Sequence, residues 1–257
     1  MNEDKNIYNG FISGNVLKII ACITMLVDHI GWILLPEVIV FRAIGRISMP
    51  LFAFTFGEGC RYTRSKGRHF ALVFGMGIVT SAAMSFVMGE IYGNILITFS
   101  FSALIIYSID GLKRYAFSHN RKGTALCSLA LAASLALATA ACCFAPAEID
   151  YGIAGVTLPV CVRLFDFRSF GAEGALASLY HPATVFLLFF VNLLVLSAVY
   201  GILQFLCILS MLPIAAYSGR RGKFKLKGLF YTFYPAHLLL IAGIYLILNP
   251  AYLSGLF

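Results

Sequence analysis

The sequence of 257 residues is short of charge: Asp, Glu, Lys and Arg make up only 12% of it, while 60% is hydrophobic. An ordinary soluble domain carries about a quarter charged residues, so the deficit excludes a water-soluble globule and a disordered chain. The net charge of +8 would suit a nucleic-acid binder only if gathered on one face. Here it falls in short clusters between apolar runs, so that class is excluded as well. The fingerprints of common soluble chemistry are also missing: there is no P-loop, GxSxG serine, HExxH or GxGxxG in a credible context. The seven cysteines (22, 60, 127, 142, 143, 161 and 207) form no CxxC pair. The adjacent Cys142 and Cys143 are poorly placed for a mutual disulfide or zinc, so the cysteines read as small apolar packing residues and no metal site is expected. Nor does the N-terminus resemble a secretory signal. Its first apolar run holds Asp28 and His29 and lacks a small-residue cleavage site, so that run is expected to persist as a helix.

What is present is apolar length. The mean hydropathy is +0.89, and a bilayer core of about 30 Å takes about 20 residues of helix. This predicts an all-α, polytopic bundle forming one integral-membrane domain over 1–257. Nine spans are expected, near 16–35, 39–59, 69–89, 93–111, 123–145, 151–167, 183–201, 203–217 and 229–248. The run 183–217 is too long for one crossing, and Gly201 followed by Gln204 marks its turn. The alanines and serines of 123–143 suggest a small-residue packing helix. Basic residues gather on the cytoplasmic side of membrane proteins. With nine spans and a cytoplasmic N-terminus, 17 of the 19 Lys and Arg residues fall there. These are Lys5, Lys18, Arg61, Arg64, Lys66, Arg68, Lys113, Arg114, Arg121, Lys122, Arg163, Arg168, Arg220, Arg221, Lys223, Lys225 and Lys227. The opposite loops hold Glu37, Glu90, Glu148 and Asp150. The expected location is therefore the cytoplasmic membrane, crossed many times, with the lipid bilayer as the first partner and no nucleic acid.

The two exceptions are Arg42 and Arg46, four apart on one helix face near the outer end of the second span. Asp28 and His29 lie at matching depth on the first span, and the short connection around Pro36 can bring the groups together. Ionisable residues in a membrane are costly and face an interior, a cavity or a partner. Asp28 points about 100° away from His29 around the helix, toward an arginine rather than toward the imidazole. Lys18, Cys22, Met25 and His29 follow a 4-3-4 spacing along one face, with about 16 Å between Lys18 and His29. Pro50 cannot donate to the Arg46 carbonyl and should kink the second span. Glu58 ends that span and is expected to pair with Lys18 or Arg61. Asn94 and Thr98 share a face at the outer start of the fourth span, either as neutral donors to a cavity or with Asn94 as a helix-start residue. In the last span Pro235 separates Tyr234 from His237, a pair expected in the inner half. His69, His119 and His181 read as loop or interface residues.

These residues resemble the TraX family of polytopic membrane proteins. The matching stretches are Leu17 to Gly31, Arg42 to Thr63, Asn94 to Thr98, Asp150-Tyr151-Gly152, Leu212 to Gly222 and Phe230 to Leu239. Ser218 departs from the Tyr-Asn-Gly turn expected there, and 151–182 is less similar than the rest. The family takes its name from conjugal transfer, where its founding member is associated with N-terminal acetylation of pilin. The resemblance therefore implies an acetyltransferase embedded in the membrane. Acetyl-CoA would be its co-substrate rather than a permanently bound cofactor, and its acceptor an amine or hydroxyl on a surface molecule such as a pilin-like protein or glycan. On that reading His29 acts as general base or briefly carries the acetyl group. Asp28 positions an arginine or raises the basicity of His29, while Arg46 and Arg42 stabilise the oxyanion or hold an acidic acceptor. Lys18, Glu58, Asn94, Thr98, Tyr234 and His237 line the acyl-CoA channel, and Lys18, Arg61, Arg220 and Arg221 attract the phosphates. The same buried Asp, His and Arg would also suit a small-solute or proton-coupled transporter, and a non-catalytic scaffold is the third alternative.

Overall fold

The structure is a computed structural model that describes residues 6–88, 91–144, 148–224 and 226–250. It is 78% helical. Lys5, Glu90 and Lys225, three of the charges that set the expected orientation, lie outside the described residues. The first helix, α1 (Gly14–Ile33), begins at Ser13, whose hydroxyl accepts from the Val16 amide and satisfies one of the donors left open at a helix start. Two residues before Pro36 the helix has ended, and the chain reverses into α2 (Ile39–Gly45) and α3 (Ser48–Arg61). The expected second span is therefore one rod broken in two. Pro50 is the third residue of α3, and the break falls at Arg46–Ile47, where i→i−3 bonds replace the α-helical pattern. Such a break is the consequence of the amide hydrogen that proline lacks.

The chain continues through α4 (Lys66–Met88), α5 (Ile95–Phe117), α6 (Arg121–Phe144) and α7 (Gly152–Arg163), then a short α8 (Gly174–Ser178) and α9 (Pro182–Tyr200). Before α5 and α7, the two-residue strands β1 (Tyr92–Gly93) and β2 (Glu148–Ile149) pair in parallel. After α9, Gly201 adopts φ +88°, a conformation that glycine reaches at no steric cost, and the chain turns where expected. A 3-10 helix over Ile202–Ser210 then runs into α10 (Met211–Ala215). The last helix is α11 (Lys227–Leu248).

Among the described residues, five helical stretches have the length and apolarity to cross a membrane: Gly14–Ile33, Ile39–Arg61, Ile95–Phe117, Arg121–Phe144 and Pro182–Tyr200. The expected count of nine spans is not confirmed among the described residues: α4 has 23 residues but is not one of these five. α7 has only 12, about 18 Å at 1.5 Å per residue, and the segment 202–215 is largely 3-10 helix. Several of the basic residues gather at one end of the bundle. The start of α1 is hydrogen-bonded to the loop after α10 (Gly14 to Arg220 and Asn15 to Arg221), and the ends of α5 and α7 meet through Lys113 and Arg163. That is the basic end of the bundle. At the other end Tyr151 packs on Tyr200.

Between helices in lipid the hydrophobic effect gives little drive, so close approach of small residues and hydrogen bonds hold the bundle. Gly57 lets α3 lie against α7, where a Cβ would come within 2.6 Å of the Pro159 carbonyl oxygen. The central core joins Leu17, Phe54, Leu158, Phe189 and Ile214, all buried, with Phe54 set edge-on to Phe189 at 5.7 Å. The small-residue helix α6 uses its small side chains against α5, where Cys127 fills the space beside Gly111. It is a peripheral helix, however, in which only Ser134 and Ala138 are buried.

Candidate active site

The expected contact between the first two spans is formed. Arg42 Nη1 donates to Asp28 Oδ2 at 2.5 Å and Arg46 Nη2 to Oδ1 at 2.8 Å. Arg46 also donates through Nε to the Arg42 carbonyl and through Nη1 to Gln204 Oε1. All three of its nitrogens are thus spent on internal partners. Asp28 is directed to the arginines and not to its neighbour His29, as the helical geometry requires. Gly45 sits where α2 approaches α1 most closely, and a Cβ there would collide with the Asp28 carboxylate.

His29 meets an unexpected partner. Its ring lies 4.9 Å from that of His237, centroid to centroid, at 77°. The pair expected in the inner half is split in depth: α11 runs alongside α1 in the same direction, so His237 stands level with His29 while Tyr234 lies lower, beside Met25. Lys18 lies over the Phe230 ring at 5.3 Å, Met25 packs with Tyr234, and His29 faces His237. In each imidazole Nδ1 lies 2.8 Å from the backbone carbonyl four residues earlier, Met25 for His29 and Phe233 for His237. A carbonyl only accepts, so Nδ1 carries the proton and the basic lone pair of each neutral ring is on Nε2. Nε2 of His237 is buried with no hydrogen-bond partner among the described residues. Two imidazoles with their tautomers fixed in this way are suited to accepting a proton.

Below this pair a cavity of about 710 Å³ opens toward the basic end of the bundle. Its mouth carries Lys18, Arg64, Arg68 and Arg221, its middle is walled by Phe52, Thr55, Phe56 and Phe99, and its inner end is closed by Met25 and Tyr234. Of the sequence-predicted channel residues, Lys18, Glu58 and Tyr234 line it. Glu58 is not ion-paired with Lys18. Its Oε1 accepts from the Tyr8 hydroxyl at 3.5 Å, and its buried Oε2 has no partner among the described residues. The buried Tyr8 phenol, outside the helices, is raised above its ordinary pKa by desolvation and then by Glu58, and so remains a neutral donor.

Asn94 and Thr98 lie elsewhere. Asn94 caps α5 by accepting from the Leu96 amide and donates to the Gly77 carbonyl, while Thr98 donates to the Asp150 carbonyl at 2.7 Å. Asn94 ties the start of α5 to α4, Thr98 ties α5 to the residues just before α7, and neither lines the cavity, because their polar groups are already committed to backbone partners. His29, Asp28, Arg42, Arg46 and His237 are also absent from its lining, which stops one turn below the imidazoles.

Two features escape sequence reasoning. His69, an interface residue by sequence, lines the cavity, stacks on Phe56 at 5.4 Å and shares a 2.6 Å hydrogen bond with the Tyr107 hydroxyl. Near the basic end of the bundle, Arg163 is 2% exposed. It pairs with Asp166 and, at 3.1 Å, with Asp110, to which Lys66 approaches within 3.8 Å. The available signal is Asp110, a lone acid in the apolar run of α5. Arg163 by sequence is only one more charge near a helix end.

The family model for TraX protein matches residues 13–245. The chain belongs to the TraX family. With several apolar helices of spanning length, this TraX protein is a multi-pass membrane protein. One relative is described as Uncharacterized protein RP591 of Rickettsia prowazekii (strain Madrid E), 34% identical over 88 residues. That alignment covers 30% of this chain and 35% of the relative, so the chain matches about a third of the relative's length. No solved structure matches the chain.

Proposed function

We propose that this TraX-family protein transfers an acetyl group from cytoplasmic acetyl-CoA to an amine or hydroxyl of a surface-bound acceptor at the membrane. The observation that carries this reading is the 710 Å³ cavity. It is cationic at its cytoplasmic mouth and largely apolar within, and it points along the Lys18–Met25 face of α1 toward two histidines with fixed tautomers. The diphosphate of CoA suits Lys18, Arg64, Arg68 and Arg221. The pantetheine amides can donate to the unpartnered Glu58 oxygen. An extended arm of about 15–20 Å matches the distance of about 16 Å from Lys18 to His29. The last turn of that path is filled by Met25, whose flexible thioether can adopt another rotamer while its carbonyl keeps hold of the His29 ring.

In the chemical step, His29 Nε2 takes the acceptor's proton as the acceptor lone pair attacks the thioester carbonyl carbon. The carbonyl π electrons move onto oxygen, where the Tyr234 hydroxyl can donate to them. Collapse of this intermediate breaks the carbon–sulfur bond, and the imidazolium returns its proton to the departing CoA thiolate. Asp28 clamped between Arg42 and Arg46 keeps α2 against α1, and Arg42, with 26% of its side chain exposed, is the arginine placed to hold an acidic acceptor. The test is turnover of labelled acetyl-CoA by the purified protein in nanodiscs supplied with an extract of cell-surface molecules. Acceptor-dependent release of free CoA, lost when Thr55→Trp fills the cavity, is expected. Solute flux into proteoliposomes without acyl-CoA, together with no CoA release, would instead identify a transporter.

A further inference from the structure

A second cavity, of about 620 Å³, opens at the cytoplasmic end beside the first. The two share Tyr62 and Thr63 at the end of α3, and consecutive residues of one loop divide between them: Arg220 lines this cavity and Arg221 the other. Its lining is strongly cationic, with Arg61, Lys66, Arg114, Arg163 and Arg220. Against these stand the carboxylate of Asp110 in its wall and that of Asp166 paired with Arg163. Two buried donors in the wall are unused. The Nε of Arg163, a residue 2% exposed, and the Oγ of Ser169 have no hydrogen-bond partner among the described residues. A buried N–H or O–H left unmade is costly; these two lie behind a lining whose guanidinium and ammonium groups fit an anion with several acceptor oxygens, the character of a phosphate monoester. The aromatic rings of Tyr62 and Phe170, also in the lining, offer faces for a planar base.

We infer that this second cavity seats the phosphorylated adenosine end of acyl-CoA, with the 3′-phosphate among Arg163, Ser169, Arg114 and Arg220. The pantetheine arm turns past Tyr62 and Thr63 into the first cavity. The inference rests on the acyl-CoA reading of the first cavity and adds a second, separate anion site to it.

Binding to the purified protein in zwitterionic nanodiscs separates the two ideas. CoA, dephospho-CoA (which lacks only the 3′-phosphate) and adenosine 3′,5′-bisphosphate are titrated against the unmodified chain. The same titrations are run on Arg114→Glu and Arg220→Glu, and on Arg168→Glu as an exposed cytoplasmic control outside both cavities. The expected result is at least tenfold preference for CoA over dephospho-CoA, together with binding of the bisphosphate. Both should be lost in Arg114→Glu and Arg220→Glu and kept in Arg168→Glu, with affinity for dephospho-CoA largely retained throughout. Equal binding of CoA and dephospho-CoA would overturn the second site while leaving the acyl-CoA reading intact. Binding of neither would overturn both. Loss of bisphosphate binding when anionic phospholipid is added to the nanodisc would assign the cavity to a lipid headgroup and overturn the nucleotide assignment.

Discussion

The imidazoles of His29 and His237, 208 residues apart in sequence, stand edge to face at 4.9 Å between the first and last helices. Each Nδ1 is anchored to its own helix backbone, so the chemistry available to the pair is that of Nε2. This contact also fixes the relation of α1 to α11, with Lys18 on Phe230 toward the start of both helices.

The approach of α2 to α1 depends on the missing side chain of Gly45. A Cβ there would strike the Asp28 carboxylate, and α2 cannot retreat without breaking both arginine contacts. Gly45→Val is expected to destabilise the protein by roughly 2–4 kcal/mol, above the usual cost of overpacking, and to lower the midpoint of thermal unfolding in detergent. Gly59→Ala, at a position where a Cβ meets nothing within 4 Å, should shift that midpoint far less.

Asp28 is the carboxylate that neutralises two arginines in the outer half of the bundle. Asp28→Ala leaves both guanidinium groups uncompensated at a site 9% exposed, and breaking such a pair from one side costs about 3–5 kcal/mol. Adding Arg46→Met to Asp28→Ala should recover part of that loss. A double-mutant cycle on unfolding midpoints measures the recovery, and simple additivity of the two losses would contradict the paired clamp.

Much of this clamp is legible in the sequence, because the i,i+4 spacing of Arg42 and Arg46 and their depth opposite Asp28 come from helical rise alone. The turn at Gly201 and the break ahead of Pro50 are legible for the same reason, since backbone chemistry is local. The histidine pair is not: it depends on which helices are neighbours, and counting residues from the cytoplasmic end of the last span places His237 too far inside. The cluster of Asp110, Arg163 and Asp166 is hidden differently. Charges near helix ends are ordinary, and only the packing of α5 against α7 shows that these are buried. Asn94 and Thr98 fit both a cavity and a cap by sequence, and local hydrogen bonding decides for the loops.

At the outer end, half-buried Asp150 has its carboxyl pushed up to about 6, chiefly by desolvation, with Tyr92 and Arg46 opposing the shift. The folded state therefore holds this proton more tightly than the unfolded chain, whose carboxyl titrates near 3.9. Folding stability should fall as pH rises from about 4 to about 6 and level off above, since over that interval only the unfolded chain loses the proton. Asp150→Asn should flatten this segment of the curve and raise stability at pH 7.5 relative to pH 4.5. Unfolding midpoints measured across that range check the sign, and an increase in the Asp150 contribution with pH would contradict it.

The central proposal is His29 as the base at the end of the path that the cavity begins, and turnover of labelled acetyl-CoA by His29→Ala in nanodiscs measures this most directly. General-base catalysis contributes about 10²–10⁴-fold, so the rate of CoA release with acceptor present should fall by at least a hundredfold. The unfolding midpoint and membrane insertion should stay close to those of the unmodified protein. Release at the unmodified rate from a correctly inserted His29→Ala protein would contradict the assignment.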